Sequence, residues 1–219
     1  MSREEVRARI ADIGIIPGVR VSAPEEALFA AEAVASGGIP IVEITMTVPG
    51  ALEVIAHLVR SGPHLIVGAG SVWDVETARH CLAAGARFLT TTGLDLKTVE
   101  FANHEGLVIF PGALTPSEVM TAWKAGVDFV KVFPCSQMGG ASYVKALKAP
   151  FPQVPMIASG GVNQLNVAEF FLAGATAVGV GAHLIPKKAI ELRQPHRIHE
   201  LAVRLVKTVR EARGQIGAK

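Results

Sequence analysis

One pattern decides the fold of this chain, and it occurs in the segments ASGGIPIVEI (35–44), AAGARFLTT (83–91), KAGVDFVKVF (124–133) and LAGATAVGVG (172–181). In each segment an alanine-rich helical stretch ends at a glycine, and a β-rich run begins two or three residues later. Glycine is common beyond a helix C-terminus because it adopts the left-handed conformation without a Cβ clash. The repeated helix, glycine and short strand predict consecutive αβ units.

Extended over the whole sequence, this pattern predicts eight strands, near residues 13–19, 39–46, 65–69, 87–91, 107–111, 128–133, 155–159 and 177–181. It predicts helices near 24–36, 50–61, 74–84, 95–104, 116–125, 140–148 and 163–173, and a C-terminal helix at about 196–213. Eight alternating βα units in 219 residues fit the compact end of the TIM-barrel range. A doubly wound open sheet rarely needs so many evenly spaced parallel strands. We therefore predict an α/β fold, a TIM (β/α)8 barrel, as a single domain over residues 1–219.

Composition and charge exclude several classes of protein. Half of the residues are hydrophobic and the formal net charge is only +2, which suits a packed core and offers no extended basic surface. Basic residues near the C-terminus alternate with Glu191, Glu200 and Glu211, as on a solvated helix face, so we predict no nucleic-acid partner. The N-terminus lacks the apolar core of a signal peptide, and no apolar run reaches the roughly 18–20 residues of a membrane span. We therefore expect a cytoplasmic protein without a membrane partner.

The two cysteines give no sign of a metal site. Neither Cys81 nor Cys135 has a second Cys or a His at metal-ligand spacing, so we predict no bound metal. Cys81 lies in an alanine-rich helical stretch and is expected to be a small buried apolar residue. Cys135 lies closer to the candidate site described next, where a structural role is favoured over a nucleophilic one.

Two of the predicted strands carry a full charge in their middle, although barrel strands are buried on both faces and should be apolar. Glu43 is the charged residue in the strand IPIVEITM, and Lys131 is the charged residue in the strand VDFVKVFP. Strand alternation places Lys131 on the same face as Phe129 and Phe133. If both faces point into the barrel, the two side chains can meet at its mouth. A buried ion pair adds little net stability, so we favour catalysis and keep a structural Glu–Lys pair as the alternative.

An amine and a carboxylate in one cavity suit chemistry at a ketone. Burial beside Phe129 and Phe133 disfavours the charged ammonium of Lys131. The free amine attacks a keto carbon and forms an iminium, which acts as an electron sink for C–C cleavage. Cleavage also needs a base that takes a hydroxyl proton and later returns one to the enamine carbon, and Glu43 is the candidate.

The loops after the last two strands predict an anion site. Ser159, Gly160 and Gly161 follow the seventh strand, and Gly181 follows the eighth. In TIM barrels these two loops and a helix N-terminus form the recurring phosphate site, and glycines let backbone N–H groups approach an anion. Arg20, at the end of the first strand, is a candidate for binding a carboxylate or phosphate through its planar fork. An ordinary exposed arginine at a strand end is the alternative.

Several motifs occur in a familiar order over about residues 13–186: VEITMTVPGA, VGAGSVWD, FPGALTPSEV, VKVFPCSQMGG, KALKAPFP and ASGGVN. Together they resemble the family of 2-keto-3-deoxy-6-phosphogluconate (KDPG) and 4-hydroxy-2-oxoglutarate (KHG) aldolases, most specifically in the strand-borne Lys followed by Phe-Pro. The resemblance implies a class I aldolase on a TIM barrel, assembled as a homotrimer. It also implies no metal and no organic cofactor, because the reaction uses a covalent Schiff base with Lys131. The implied partners are a small-molecule 2-keto-3-deoxy sugar acid and pyruvate.

The resemblance implies roles for individual residues. Lys131 matches the Schiff-base lysine, and Glu43 matches the proton-transferring glutamate. The pyruvyl and carboxylate half of the substrate is assigned to Arg20, Thr47, Ser71, Thr92, Phe133 and Ser159. The phosphate is assigned to Gly160, Gly161, Gly181 and Ala182.

Some positions depart from the usual pattern of the family. Thr47 stands where many members have an arginine that contacts the carboxylate, and Arg20 matches the arginine that a subset has instead. Thr92 replaces a usual proline, and Ser159 stands in an Ala-Ser-Gly-Gly sequence where Pro-Thr-Gly-Gly is usual. Ala182 replaces a common phosphate-binding serine, which implies weaker or differently arranged phosphate binding.

We therefore expect cleavage of KDPG, or of a close 2-keto-3-deoxy-6-phospho sugar acid, to pyruvate and glyceraldehyde 3-phosphate. An aldolase for 4-hydroxy-2-oxoglutarate or another unphosphorylated 2-keto acid is an alternative that Ala182 motivates. A phosphosugar isomerase or epimerase would instead use Glu43 as base and Lys131 as electrophile. A non-catalytic barrel that binds a sugar phosphate is the remaining alternative.

Overall fold

In the computed structural model, which describes residues 1–217, parallel strands alternate with helices. The strands are β1 (Ile15–Val19), β2 (Ile41–Thr45), β3 (Ile66–Gly70), β4 (Phe88–Thr90), β5 (Val108–Phe110), β6 (Gly112–Ala113), β7 (Val130–Val132), β8 (Met156–Ser159) and β9 (Ala177–Val180). The helices are α1 (Arg3–Ile13), α2 (Pro24–Ser36), α3 (Ala51–Ser61), α4 (Val75–Ala83), α5 (Leu96–His104), α6 (Pro116–Lys124), α7 (Ala141–Lys148), α8 (Val167–Leu172), α9 (Lys187–Glu191) and α10 (Pro195–Gly217).

The strands form a barrel whose fifth strand is in two pieces, β5 and β6, on either side of Pro111. Proline has no N–H to donate, so the strand is interrupted there. β5 pairs with β4 and β6 pairs with β7, and the amide of Lys131 donates to the carbonyl of Pro111 (2.9 Å). β1 pairs with both β2 and β9. The predicted (β/α)8 barrel is thus confirmed as a nearly closed ring of nine parallel segments.

Three phenylalanines fill the barrel lumen below its mouth. Phe88 and Phe110 stack with ring centroids 5.3 Å apart, and Phe129 meets Phe110 edge-on at 6.0 Å. All three are buried, and Phe129 precedes Lys131 by two residues on the same face of β7. The aromatic cluster therefore forms an apolar floor beneath any group that projects into the mouth.

Two helices lie outside the repeat and were not predicted, α1 and α9. α1 begins after Ser2, whose side chain and that of Glu5 form a reciprocal capping box. Arg3 donates to Asp128 (2.8 Å), which also accepts from the amide of Ile109 (2.9 Å). Asp128 and Ile109 lie near the starts of β7 and β5, so these bonds fix α1 at the N-terminal end of the barrel.

The C-terminal helix is longer than the sequence predicts. α10 spans Pro195–Gly217 instead of about 196–213, and it packs mainly against α8 and α2. None of the helices in residues 1–217 has both the length and the apolar composition that crossing a membrane requires.

Candidate active site

A cavity of about 910 Å³ opens at the C-terminal ends of the strands. Its wall comes from β1, β2, β7, β8 and β9, from the segments that follow these strands and β3 and β4, and from α2 and α9. Of the residues predicted from the sequence, it is lined by Arg20, Glu43, Ser71, Thr92, Lys131, Phe133, Ser159, Gly160, Gly161, Gly181 and Ala182. The structure therefore brings residues that are up to about 160 positions apart in the chain into one open chamber.

Lys131 projects from β7 into this chamber. Its side chain is half-buried, and its Nζ donates a hydrogen bond to the hydroxyl of Thr90 (3.0 Å). The ammonium lies 5.5 Å from the centre of the Phe133 ring, which covers it from one side. Thr90 was not predicted, although strand alternation places it on the same face of β4 as the lumen-facing Phe88. The amine is thus oriented by the Thr90 hydroxyl and lies beside the Phe133 ring.

Glu43 projects from β2 and is only 8% exposed. Its carboxylate lies against Gly70 of the neighbouring strand β3, at a position where a Cβ would overlap it. On its other side β1 offers Gly18, which is in register with Glu43. Because Gly18 of β1 and Gly70 of β3 have no side chain, the buried side chain of Glu43 fits between these two strands. The glycines were visible in the sequence, but their positions beside Glu43 were not.

The ionisation of Glu43 is coupled to the other charges of the chamber. Burial raises the pKa of this carboxyl group above its ordinary value, while the positive charges of Lys131 and Arg20 act in the opposite direction. The net shift is upward, because loss of hydration outweighs the two attractions. A carboxyl group shifted toward neutral pH is suited to taking and returning a proton in one catalytic cycle.

Thr47 is the one predicted site residue outside the cavity lining. It is exposed, and its hydroxyl lies 2.8 Å from that of Thr45, which does line the cavity. Thr45 in turn donates to the carbonyl of Val19 (3.0 Å) at the end of β1. Thr47 thus contacts the chamber only through Thr45, because the chain turns away after β2 ends.

Ser71 and Thr92 follow the ends of β3 and β4 and stand at the cavity rim. Ser71 has a φ of 56°, a left-handed conformation that residues other than glycine rarely adopt. Such backbone strain is often found at functional sites, where the surrounding structure holds it in place. Ser71 lines the cavity in this strained conformation.

The glycine loops supply a set of free backbone donors. Gly160 and Gly161 have φ values of 91° and 83°, which favour glycine. Within residues 1–217, the amides of Gly160, Gly161, Ala182 and His183 donate to no protein acceptor. Four such amides around one end of a cavity are suited to binding an anion. They belong to the loops themselves, because α8 begins only at Val167 and not near residue 163 as predicted.

Cys135 is buried beside the glycine loop that follows β8 and has a structural role. Its Sγ contacts the carbonyl oxygen of Gly160 (3.3 Å), and its amide donates to Ser159 (2.9 Å). Burial raises the pKa of its thiol to about 11, so the nucleophilic thiolate is scarce at neutral pH. In the part of the chain that the structure describes, no three His, Cys, Asp or Glu side chains are grouped as metal ligands would be.

The outer wall of the cavity contains residues that sequence reasoning missed. They come from the segment between β1 and α2, from the first turn of α2, and from α9 and the turn before it: Val21, Ser22, Glu26, His183, Ile185, Lys187, Ile190 and Glu191. α9 has only five residues, and it follows the last repeat unit, so no periodic signal pointed to it.

A parallel barrel with a lysine and a buried glutamate at its C-terminal mouth defines a TIM-barrel enzyme with an amine–carboxylate site. The model of the KDPG and KHG aldolase family matches residues 6–201. This chain therefore belongs to the KDPG and KHG aldolase family.

Individual relatives agree with this assignment. The chain is 32% identical to a 2-dehydro-3-deoxy-phosphogluconate aldolase of Pseudomonas aeruginosa, over 81% of this chain and 80% of the relative. It is 29% identical to the KHG/KDPG aldolase of Escherichia coli, over 86% of this chain and 88% of that relative. A crystal structure of the KDPG aldolase of Legionella pneumophila, with pyruvate captured as a covalent carbinolamine, superposes with a TM-score of 0.85 at 31% identity. This superposition covers 91% of the present chain and 97% of the Legionella pneumophila chain.

Proposed function

We propose that this protein is a class I aldolase that cleaves KDPG to pyruvate and glyceraldehyde 3-phosphate through a Schiff base on Lys131. The observation that carries the proposal is the shared chamber of Lys131 and the buried Glu43. The carbinolamine in the Legionella pneumophila relative supports the same chemistry. The amine serves as the nucleophile, and the covalent adduct makes an organic cofactor unnecessary.

The cycle begins when Nζ of Lys131 attacks C2 of the substrate. The carbinolamine loses water to give an iminium ion, and Glu43 takes the proton of the C4 hydroxyl, directly or through water. The C3–C4 bond then breaks, its electron pair moves into the enamine, and glyceraldehyde 3-phosphate leaves as the aldehyde. Glu43 returns the proton to C3, and hydrolysis of the resulting iminium releases pyruvate and the free amine.

The substrate halves occupy opposite ends of the chamber in this proposal. Arg20 and the hydroxyls of Ser71, Thr92 and Ser159 bind the pyruvyl and carboxylate end, and Phe133 packs against it. The phosphate lies at the free amides of the glycine loops, and these donors favour a phosphorylated substrate. Ala182 keeps its backbone donor although it has no hydroxyl, so unphosphorylated acids such as 4-hydroxy-2-oxoglutarate are the second candidate substrates.

A substrate panel tests the proposed function. KDPG, 2-keto-3-deoxygluconate and 4-hydroxy-2-oxoglutarate are offered separately, and pyruvate release is followed with a coupled dehydrogenase. We expect the highest kcat/KM with KDPG. A higher kcat/KM with 4-hydroxy-2-oxoglutarate would transfer the assignment to the second candidate. No pyruvate from any of the three acids would contradict the aldolase function and favour a phosphosugar isomerase or a non-catalytic barrel.

We further propose a homotrimer, as the family resemblance implies. A designed cage built by fusing symmetric oligomeric domains supports an oligomer, and the number three comes from the resemblance alone. The chain is 30% identical to the cage protein with a TM-score of 0.85, and the match covers 75% of that protein. Light scattering after gel filtration should give three times the chain mass, and a monomer mass would contradict this assembly. A cytoplasmic location stays a prediction.

A further inference from the structure

The outer end of the cavity differs in charge from its inner end. Burial raises the pKa of Glu43, and the charges of Lys131 and Arg20 oppose this effect, so these two cations act at the inner end. Lys187 also lines the cavity, but it lies on α9 with its side chain 87% exposed, whereas the side chain of Lys131 on β7 is half-buried. The structure therefore separates one cationic side chain, that of Lys187, from the catalytic pair.

The loops at this outer end have no charged side chain of their own to bind a phosphate. Gly160, Gly161, Val162, Gly181 and Ala182 line the cavity and carry no polar side chain. Their free amides can donate hydrogen bonds to an anion, but they provide only partial charges. A phosphate monoester carries close to two negative charges at neutral pH, so a cation beside the amides would add the missing attraction.

Lys187 is available for this purpose. It stands at the first position of α9, and its only ion pair in residues 1–217 is with Glu191, at 3.6 Å. Both side chains are exposed, and such pairs between neighbouring helical turns are worth little. Glu26 also lines the cavity but forms no ion pair with Lys187 in residues 1–217, and its carboxylate accepts from the amide (3.0 Å) and hydroxyl (3.2 Å) of Ser22. A phosphate entering the cavity can therefore draw Lys187 away from Glu191 at small cost.

We propose that Lys187 is a specificity-determining residue that binds the phosphate ester of the substrate at the outer end of the cavity. It acts together with the free amides of Gly160, Gly161, Ala182 and His183. The ligand class is a phosphate monoester at the far end of a 2-keto-3-deoxy acid. This inference rests on the proposed aldolase function for its kinetic test, and a binding test keeps it independent of turnover.

The adjacent Lys188 provides a matched control, because it is also exposed on α9 but does not line the cavity. Lys187→Ala should lower kcat/KM for KDPG about three- to tenfold, mainly through KM, since one partly screened ion pair with phosphate is lost. The loss with 2-keto-3-deoxygluconate, which has the same carbon chain without phosphate, should stay below about twofold. Lys188→Ala should leave both substrates unaffected.

Two further measurements separate phosphate binding from a structural effect. The advantage of wild type over Lys187→Ala with KDPG should shrink as salt rises from low to high concentration, because salt screens the attraction of exposed charges. Glycerol 3-phosphate, which cannot form a Schiff base, should bind Lys187→Ala more weakly than Lys188→Ala in isothermal titration calorimetry.

The proposal is overturned if both lysine variants change KDPG kinetics equally, or if Lys187→Ala affects both substrates equally. It is also overturned if glycerol 3-phosphate binds the two variants with the same affinity. Failure of the proposed function is a different result: wild type would release no pyruvate from any 2-keto-3-deoxy acid, and the calorimetric comparison would still decide the role of Lys187.

Discussion

At the scale of single residues, the site depends on where side chains are absent as much as on where they are present. Glu43 reaches the chamber because Gly70 beside it carries no Cβ. The carboxyl group is then deprived of water, which raises its pKa and prepares it for proton transfer. The position of Glu43, on which its proposed catalytic role depends, is therefore fixed partly by a glycine on another strand.

Gly70→Ala should test this dependence. The added Cβ overlaps the Glu43 carboxylate and has to displace it, and a misplacement of about 1 Å can cost about a hundredfold in rate. We expect kcat to fall by about that factor while the far-ultraviolet circular dichroism stays unchanged. Gly214→Ala is the control, because a Cβ there meets open space. Wild-type kcat in a folded Gly70→Ala variant would contradict the placement of Glu43.

The raised pKa of Glu43 also predicts how stability varies with pH. Below the ordinary value near 4.5 the carboxyl group is protonated in both folded and unfolded chains, so burial costs little. As pH rises above that value, the folded chain keeps a proton that the unfolded chain loses, and stability declines until the folded chain also releases it. Glu43→Gln should thus gain stability relative to wild type as pH rises from about 4.5 toward neutrality. The gain should be roughly 1.4 kcal/mol for each pH unit over which only the folded chain holds the proton.

Urea unfolding of both chains across this pH range measures the difference directly. In the same variant kcat should fall by about two to four orders of magnitude, because an amide cannot exchange the proton. A stability difference that stays constant with pH would show that the Glu43 carboxyl group titrates normally.

At the scale of secondary-structure elements, the two ends of the barrel have different roles. The mouth carries the chemistry, and the N-terminal end is closed by α1 and by the far end of α10. Arg213 of α10 donates to the carbonyls of Asp12, Ala11 (2.6 Å) and Thr176 (2.9 Å) and lies 5.0 Å from the centre of the Phe171 ring. It therefore joins α10 to the end of α1 and to the start of β9.

Arg213→Ala should lower the free energy of unfolding by about 2–3 kcal/mol, since it removes charge-assisted hydrogen bonds and a cation–π contact. Arg210→Ala, an exposed change on the same helix, should stay within about 0.5 kcal/mol of wild type. Guanidinium unfolding curves compare the two variants. Equal stabilities would mean that Arg213 does not join these elements in solution.

Repeating elements were the most predictable part of the fold. The αβ units can be recognised in the sequence by the glycines that end their helices and by their apolar strands. α2, for example, begins and ends at the predicted residues 24 and 36. α1 and α9 lie outside the repeat, and the interruption at Pro111 depends on how two neighbouring strands pair. The αβ repeat contains no information on these features, although the capping-box pattern of Ser2 and Glu5 at the start of α1 could have been read from the sequence.

The residues of the candidate site were likewise predictable only where a local pattern in the sequence marked them. Lys131 and Glu43 stood out because a charge in a buried strand is costly, and the structure brings both into one cavity. Thr90, by contrast, matters through its contact with Lys131 across strands, which depends on register. The place of Lys187 in the cavity wall depends on the position of α9 beside the cavity. Contacts of this kind arise from tertiary packing and have no signature in the order of residues.

At the scale of the whole molecule, the barrel gathers separate segments around one amine. The floor of Phe88, Phe110 and Phe129 excludes water from below, and the glycine loops and α9 enclose the outer end. In the proposed function, this arrangement separates carbon–carbon bond cleavage at the centre from substrate selection at the rim. Changes at the rim should therefore alter KM and substrate preference before they alter the covalent chemistry.

The central claim is that Lys131 forms the Schiff base, and trapping with borohydride tests it most directly. The protein is incubated with pyruvate, reduced with sodium borohydride, digested and mapped by mass spectrometry, with Lys131→Met and Lys188→Ala treated in parallel. We predict one reduced pyruvyl group per chain, attached to Lys131, which is lost in Lys131→Met and retained in Lys188→Ala. An unmodified Lys131 in an active preparation, or the adduct on another lysine, would contradict the account.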